Sequence, residues 1–243
     1  MNKAVEAKIN SLVGTTFGAS CLTLLDRYCE EVADFNSHTN LLAKADEESL
    51  AVHVHDSLSL VGLIQKLTAG IDKPKLIDIG SGGGFPGIVL AIAIENLHVT
   101  LVDSVSKKAH FLETTCERLD LESRTVVYDQ RAEELIRQEK ALRQSFDIAT
   151  ARAVGSFSLV CELTLPYLKT GGYLLAQRSM KQIEEETADR ERILPILGAS
   201  LEEIVQVEDD LLGRSFAIAV IAKVKPCNVK YPRQAAKLKH EPL

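Results

Sequence analysis

Short apolar runs alternate with helix-length segments over most of the chain, and this alternation constrains the fold more than any other feature. Five runs begin about 25 residues apart, a spacing typical of strands joined by helices: Leu76–Ile79, Val99–Val102, Thr125–Tyr128, Ile148–Ala151 and Tyr173–Ala176. Helical patterning lies between them at Ser106–Leu119, Arg131–Ala141 and Phe157–Leu168. Strands joined in this way form βαβ units, so the sheet is parallel and helices cover both of its faces. Two further runs, Leu201–Val207 and Phe216–Val224, predict a C-terminal antiparallel hairpin.

The chain before residue 70 has a helical pattern instead. Leu22, Leu25, Cys29 and Val32 recur at intervals of three and four residues, which places them on one face of a helix. Three acidic residues that begin at Asp46 suit the N-terminus of a second helix. We therefore expect an N-terminal helical extension (1–70), an α/β domain (71–225) and a basic tail (226–243).

Composition and charge exclude some classes of function. Lys and Arg number 28 and Asp and Glu number 34, so the net charge of −6 does not suit binding of nucleic acid through a positive field over the whole molecule. Any such contact must come from local patches, among which the tail from Lys223 is the most basic. No wholly apolar run exceeds 7 residues, too short to cross a bilayer. Five widely spaced cysteines and the lack of a secretory signal favour the reducing cytoplasm.

A glycine-dense turn follows the first predicted strand, in the run Asp78–Gly87. Glycine allows the backbone to approach a ligand closely at the start of a helix. Two patterns overlap in this turn. Gly82-x-Gly84-x-x-Gly87 fits the dinucleotide fingerprint, whereas Gly80-x-Gly82-x-Gly84, preceded by an aspartate, fits the first motif of S-adenosylmethionine-dependent methyltransferases.

Two residues of the turn favour the methyltransferase pattern. The carboxylate of Asp78 would repel a pyrophosphate, but it can serve a cationic methionyl group directly or by ordering the loop. Pro86 removes one backbone amide from the start of the helix, where a phosphate would need it. Asp103, at the end of the next strand, suits the ribose hydroxyls of either nucleotide and does not discriminate between them.

Several motifs together resemble one family. They are Asp78-Ile-Gly-Ser-Gly-Gly-Gly-Phe-Pro-Gly87, Leu101-Val-Asp-Ser-Val-Ser-Lys-Lys108, Arg131-Ala-Glu133, Thr150-Ala-Arg-Ala-Val154, His53-x-x-Asp56-Ser57 and Tyr231-Pro232-Arg233. The family is that of the bacterial RsmG (GidB) methyltransferases, which modify N7 of a guanine in 16S ribosomal RNA. The resemblance implies a class I S-adenosylmethionine-dependent methyltransferase fold, which is Rossmann-like with a mostly parallel seven-stranded sheet. It also implies S-adenosyl-L-methionine as cofactor and 16S ribosomal RNA or the small ribosomal subunit as partner. No obligate protein partner is evident.

The cofactor site is predicted both from the residues of the glycine turn and strand ends and from the family resemblance. By the resemblance, Gly80 and Phe85 contact the cofactor, the Ala132–Glu133 pair lies at the adenine and Arg152 reaches the mouth of the active site. With the residues of the turn and of the second strand, the predicted cofactor-binding set is Asp78, Gly80, Gly82, Gly84, Phe85, Asp103, Ala132, Glu133 and Arg152.

Arg152 is the predicted catalytic residue, as a donor to guanine O6 or to a flanking phosphate. Guanine N7 has a free lone pair and loses no proton when it is methylated, so no general base is required. Contacts with RNA are predicted for four basic residues: His53, Arg178, Lys181 and Arg233. Arg178 stands where the family usually has a lysine. The acidic run at 184–186 is expected to be a solvated helix face.

No metal site is expected, because His53 and His55 point about 200° apart on a helix and no second cluster supplies ligands. Three other functions stay open on the sequence alone. They are a nicotinamide-dependent oxidoreductase that uses the Gly82–Gly87 pattern, a small-molecule methyltransferase, and a non-catalytic protein that binds the cofactor or the ribosome.

Overall fold

A computed structural model describes residues 17–152, 154–209 and 214–243. The described chain begins with three helices, α1 (Ala19–His38), α2 (Glu47–Leu58) and α3 (Val61–Leu67). The predicted acidic start of α2 is confirmed. The Asp46 side chain accepts a hydrogen bond from the Ser49 amide at 2.8 Å, and Glu47 and Glu48 lie in the first turn, where carboxylates stabilise the positive end of the helix dipole.

The α/β part of the chain is built on one seven-stranded sheet with the order β3-β2-β1-β4-β5-β7-β6. The strands are β1 (Lys75–Ile79), β2 (His98–Asp103), β3 (Thr125–Asp129), β4 (Phe146–Thr150), β5 (Leu168–Ser179), β6 (Ala199–Asp209) and β7 (Arg214–Lys223). The first five are parallel to one another, and β7 pairs antiparallel with both β5 and β6. The seven predicted strands and the antiparallel hairpin are confirmed.

Helices connect the strands and complete the two faces of the sheet. They are α4 (Gly87–Ala93), α5 (Ser106–Arg118), α6 (Ala132–Gln138), α7 (Phe157–Thr164), α8 (Met180–Glu185), α9 (Thr187–Ile196) and, in the tail, α10 (Ala235–His240). A 3₁₀ turn at Lys140–Leu142 follows α6. No helix in the described ranges is long and apolar enough to span a membrane.

Two predicted helices are longer than the observed ones. The predicted helix Phe157–Leu168 ends at Thr164, and its last two residues precede and begin β5. Pro166 has no amide N–H to donate a further helical hydrogen bond, so the helix cannot continue through it. The predicted helix Arg131–Ala141 also stops early, at Gln138, with the 3₁₀ turn after it.

Each face of the sheet carries its own hydrophobic core, because successive side chains of a strand point to opposite faces. On one face, Leu76 of β1 packs with residues of α1 to α5, such as Leu25, Val54 and Ile88. On the other face, Ile77 packs with residues of α6, α7, α9 and the tail. The N-terminal helices and the tail therefore share cores with the sheet.

Candidate active site

The glycine-rich turn joins β1 to α4 and lies at the carboxyl end of the parallel strands. Gly80 has a φ of +71°, which glycine adopts without strain. A Cβ on Gly80 would lie 2.7 Å from Val154 Cγ2, so this position leaves bare backbone beside a cavity. A Cβ on Gly87 would lie 2.3 Å from Leu101 Cδ2 and 2.8 Å from Asp78 Oδ2. The absence of a side chain at position 87 therefore allows α4 to pack closely on the sheet.

Asp78 stabilises this turn through hydrogen bonds of its side chain. Its side chain is buried, and its Oδ2 accepts a hydrogen bond from the Gly87 amide at 3.2 Å while Oδ1 accepts one from Thr150 Oγ1 at 2.9 Å. Burial raises the pKa of Asp78 to about 6, although these hydrogen bonds and the nearby Arg152 oppose the rise. The carboxylate thus orders the loop, which is one of the two roles predicted for it.

The same contact argues against a pyrophosphate site. A dinucleotide bound to the Gly82–Gly87 pattern would need amides at the start of α4. The Gly87 amide already donates to Asp78, and Pro86 has none to donate. A buried carboxylate also occupies the place where a phosphate would need positive charge.

Asp103 ties the end of β2 to the same turn. Its Oδ2 accepts a hydrogen bond from the Gly82 amide at 2.8 Å, and its Oδ1 accepts one from the Val105 amide at 2.9 Å. A carboxylate oxygen has two lone pairs, so each oxygen can still accept a hydrogen bond from a ligand. Asp103 lines the adjoining cavity and can therefore brace the loop and bind a ribose hydroxyl at once.

The first cavity has a volume of about 460 Å³ and lies beside the ends of β1, β2 and β3. Four predicted cofactor-binding residues line it: Gly80, Asp103, Ala132 and Glu133. The other five predicted residues, Asp78, Gly82, Gly84, Phe85 and Arg152, are not among its lining residues. A cavity with bare glycine backbone at one end and two carboxylates along its wall fits a nucleoside that carries an amino acid, such as S-adenosylmethionine.

The tail completes the wall of the first cavity. Ala235 and Leu238 of α10 line it, and Arg233, just before α10, is held by the buried carboxylate of Glu162 on α7. The Arg233 guanidinium donates to Glu162 from two nitrogens, and its pKa is raised by these hydrogen bonds. The basic composition of the tail does not predict this wall, and Ala235 and Leu238, three residues apart, are only a short helical signal.

Phe85 lies in an aromatic group between the glycine turn and the N-terminal helices. Its ring centroid is 5.1 Å from that of Tyr28 and 5.2 Å from that of His53, and the Arg152 guanidinium lies 5.6 Å from it. The Tyr28 hydroxyl donates to the Gly83 carbonyl. The N-terminal helices thus hold the outer side of the turn.

Arg152 follows β4 and is fixed by contacts with α2. Its Nη2 lies 2.9 Å from His53 Nδ1, and its Nη1 lies 3.7 Å from Asp56 Oδ2. An arginine can only donate, so Nδ1 of His53 is the acceptor and the proton of the neutral imidazole is on Nε2. His53 therefore orients the guanidinium.

A second cavity, of about 720 Å³, lies at the carboxyl ends of β4 and β5. Arg152 and Asp56 line it together with Gln177, Arg178, Ser179 and Phe216. Val154 lines the first cavity while Arg152 and Gly155 line the second, so the two cavities flank the segment after β4.

The four residues predicted to bind RNA occupy different environments. The Lys181 side chain is 81% exposed and lies 3.5 Å from Glu185. Arg178, by contrast, is buried beside Glu186, with its Nε 3.2 Å from Glu186 Oε2. Arg233 is held by Glu162, and His53 by Arg152. Of the four, only Lys181 has the solvent-facing position expected of a phosphate ligand, and RNA binding by all four stays a prediction.

The expectation of a fully solvated acidic run is wrong at Glu186. Its side chain is only 14% exposed because it pairs with the buried Arg178. Burial raises the pKa of Glu186, and Arg178 opposes that rise. In the described ranges, no group of three or more His, Cys, Asp or Glu residues could hold a metal ion.

The sheet order, the carboxylate-braced glycine turn and the cavity beside it define the fold of class I S-adenosylmethionine-dependent methyltransferases. Solved structures share this fold. One is the O-methyltransferase from Bacillus cereus in complex with SAH, with a TM-score of 0.61, 18% sequence identity, and coverage of 92% of this chain and 100% of that chain. Another is M. jannaschii TYW2 in complex with AdoMet, with a TM-score of 0.50, 16% identity, and coverage of 68% of this chain and 76% of that chain.

Sequence relatives identify the family. The model of the family GidB, described as rRNA small subunit methyltransferase G, matches residues 22–211. Proteins named Ribosomal RNA small subunit methyltransferase G include one from Clostridium botulinum (strain Eklund 17B / Type B), which is 37% identical over 217 residues, covering 89% of this chain and 88% of that protein. One from Leuconostoc citreum (strain KM20) is 36% identical over 242 residues, covering 98% of this chain and 99% of that protein. The chain belongs to the rRNA small subunit methyltransferase G family.

Proposed function

We propose that this protein transfers a methyl group from S-adenosyl-L-methionine to N7 of a guanine in the 16S RNA of the small ribosomal subunit, in the cytoplasm. The observation that carries the proposal is the glycine turn, whose helix amide is engaged by Asp78 rather than available to a phosphate. Membership of the family supports the ribosomal substrate. These two findings also disfavour the nicotinamide-dependent and small-molecule alternatives.

The residues of the first cavity fit the methyl donor. S-adenosyl-L-methionine supplies a methyl group that is already activated by a sulfonium. Gly80 would accommodate its amino-acid end against bare backbone, and Asp103 would accept hydrogen bonds from the ribose hydroxyls. Ala132 and Glu133 would lie at the adenine, and Asp78 keeps the turn in place from behind.

Methylation of guanine N7 requires that the base be correctly positioned, and it requires no proton transfer. Guanine N7 has a free lone pair, so the protein must hold it in line with the donor. Arg152 supplies a charged donor for O6 or for a flanking phosphate. His53 and Phe85 hold its guanidinium at the second cavity, which preorganises the contact before the RNA binds.

The substrate base must be reachable. N7 lies in the deep, narrow major groove of an RNA duplex, so the acceptor guanine is expected to be unpaired or splayed out. The net charge of −6 leaves phosphate binding to local groups such as the exposed Lys181 and the basic tail.

The direct test is to map N7-methylguanine in small-subunit RNA after incubation with the protein and S-adenosyl-L-methionine, using both free RNA and small subunits. Mass spectrometry of nuclease fragments should locate one new methyl group on a guanine. Binding of the methyl donor without any methylated product would favour a non-catalytic protein. Tight binding of NAD in place of the methyl donor would favour the oxidoreductase.

A further inference from the structure

The second cavity contains a buried cation with unused hydrogen-bonding capacity. Arg178 is 4% exposed and lines the cavity. Its Nη2 is buried and has no hydrogen-bond partner among the residues that the structure describes. A buried guanidinium N–H without an acceptor is rare in proteins. Because Arg178 lines the cavity, a ligand seated there can bring an acceptor to its guanidinium.

The surroundings of Arg178 suit a flat, polar base rather than a phosphate. Phe216 lines the same cavity and offers an aromatic side chain, the type on which proteins stack unpaired bases. The Arg178 side chain is 3% exposed, whereas the Arg152 side chain is 19% exposed. A phosphate of the RNA backbone stays near the surface, so the more exposed Arg152 is the better placed of the two for a phosphate.

The charge partner of Arg178 limits how it can contact a base. Glu186 Oε2 lies 3.2 Å from Arg178 Nε, so this nitrogen faces the carboxylate. The common contact of arginine with guanine is bidentate, to O6 and N7 together. With Nε facing Glu186, a remaining N–H can donate to O6 and leave the N7 lone pair free to react.

We propose that the second cavity takes the acceptor base and that Arg178 recognises its O6 carbonyl, which selects guanine over adenine. Adenine carries an amino group at C6, which cannot accept the hydrogen bond and would leave the guanidinium unpaired. This proposal rests on the proposed function, because it concerns the same reaction. It assigns O6 to Arg178 and leaves Arg152 the flanking phosphate.

The test uses small-subunit RNA with either guanine or 2-aminopurine at the mapped acceptor position. 2-Aminopurine lacks O6 and keeps N7. The two variants compared both carry Glu186→Gln. One keeps the guanidinium of Arg178. The other, the double variant Arg178→Met/Glu186→Gln, removes it without leaving an unpaired carboxylate. The measured quantity is kcat/KM for methyl transfer to each RNA, and the ratio between the RNAs is compared between variants, so the intrinsic reactivity of the two bases cancels.

We expect kcat/KM of Glu186→Gln to be about 10- to 100-fold higher for the guanine RNA than for the 2-aminopurine RNA. In the double variant this ratio should be smaller by about tenfold. The loss should fall on the guanine substrate alone. Arg178→Lys should restore much of the preference, because a lysine ammonium can still donate to O6.

Equal guanine to 2-aminopurine ratios in the two variants would overturn the assignment of O6 to Arg178. If the ratios are equal because both RNAs lose kcat/KM by the same factor in the double variant, Arg178 contacts a phosphate instead. Calorimetric binding of S-adenosylmethionine and a cooperative thermal transition check that each variant is folded. If the double variant is unfolded, Arg178→Gln is compared with the wild type in the same way. Failure of the wild type to methylate the unmodified RNA would instead refute the proposed function.

Discussion

Arg233 and Glu162, which are 71 residues apart in the sequence, form a two-point pair: Nε donates to Oε1 at 2.8 Å and Nη2 donates to Oε2 at 2.7 Å. The Arg233 amide also donates to Oε1 at 2.8 Å. Two more arginines reach the tail, since Arg137 donates to the Pro232 carbonyl and Arg143 to the Tyr231 carbonyl. The start of the tail is therefore anchored beside the first cavity.

Arg233→Ala should weaken binding of S-adenosylmethionine by about tenfold, which corresponds to the loss of one charge-assisted pair. The physical reason is that α10, which carries Ala235 and Leu238, loses its anchor to α7. Isothermal titration calorimetry measures the change in Kd. Lys237→Ala, at an exposed position of the same helix, is the matched control and should leave Kd unchanged. An unchanged Kd in Arg233→Ala would mean that the tail does not support the cavity.

Asp78→Asn should change how stability depends on pH. Burial raises the pKa of Asp78 from 3.8 to about 6 in the folded protein, so ionisation of this carboxyl disfavours the folded state. The protonated Asp78 carboxyl therefore contributes to the free energy of unfolding in full below about pH 4, and this contribution is lost as the pH rises through about 6. The wild type should therefore lose up to about 3 kcal/mol of unfolding free energy relative to the variant between pH 4 and pH 7. Urea unfolding at several pH values measures this difference, and a constant difference would contradict it.

Tyr28→Phe should lower the free energy of unfolding by about 1–3 kcal/mol, because it leaves the buried Gly83 carbonyl without its donor. Chemical denaturation of the purified variant provides the measurement. Tyr173→Phe is the control, since the structure gives the half-buried Tyr173 hydroxyl no hydrogen bond in the described ranges, and it should change stability by less than about 0.5 kcal/mol. Equal effects of the two substitutions would rule out a specific role for the Tyr28 hydroxyl.

Arg152→Ala should reduce kcat/KM for methylation of small-subunit RNA by about 10- to 100-fold, since one charged contact with the RNA is lost. The Kd for S-adenosylmethionine should change little, because Arg152 lines the second cavity and not the first. Arg152→Lys should recover only part of the rate, because a single ammonium cannot reproduce the planar donors that meet His53 and Asp56. Full turnover by Arg152→Ala would exclude it from the mechanism.

The strands and the glycine turn were predictable because their signals are local. Asp78 and Gly87 lie within one short run whose pattern of strand, glycines and helix is written in consecutive residues. Asp103 was predictable in the same way, as a carboxylate at the end of the next strand. Such residues meet because parallel strands end at one edge of the sheet.

The supports of the site were not predictable, because they join distant parts of the chain. Tyr28 and Gly83 are 55 residues apart, and His53 and Arg152 are 99 residues apart. No periodicity relates such pairs, so only the folded chain brings them together. The same holds for Glu186, which looks like part of a solvated run until Arg178 is found buried against it.

The contacts of α1 and α2 with the glycine turn have a consequence for how the protein holds together. Leu25 and Val54 belong to the same core as Leu76 and Leu101 of the sheet. A fragment that starts at residue 71 would expose one whole flank of that core to water and invite aggregation. We expect the intact chain to melt in a single cooperative step, with the first cavity lost at the same temperature as α1.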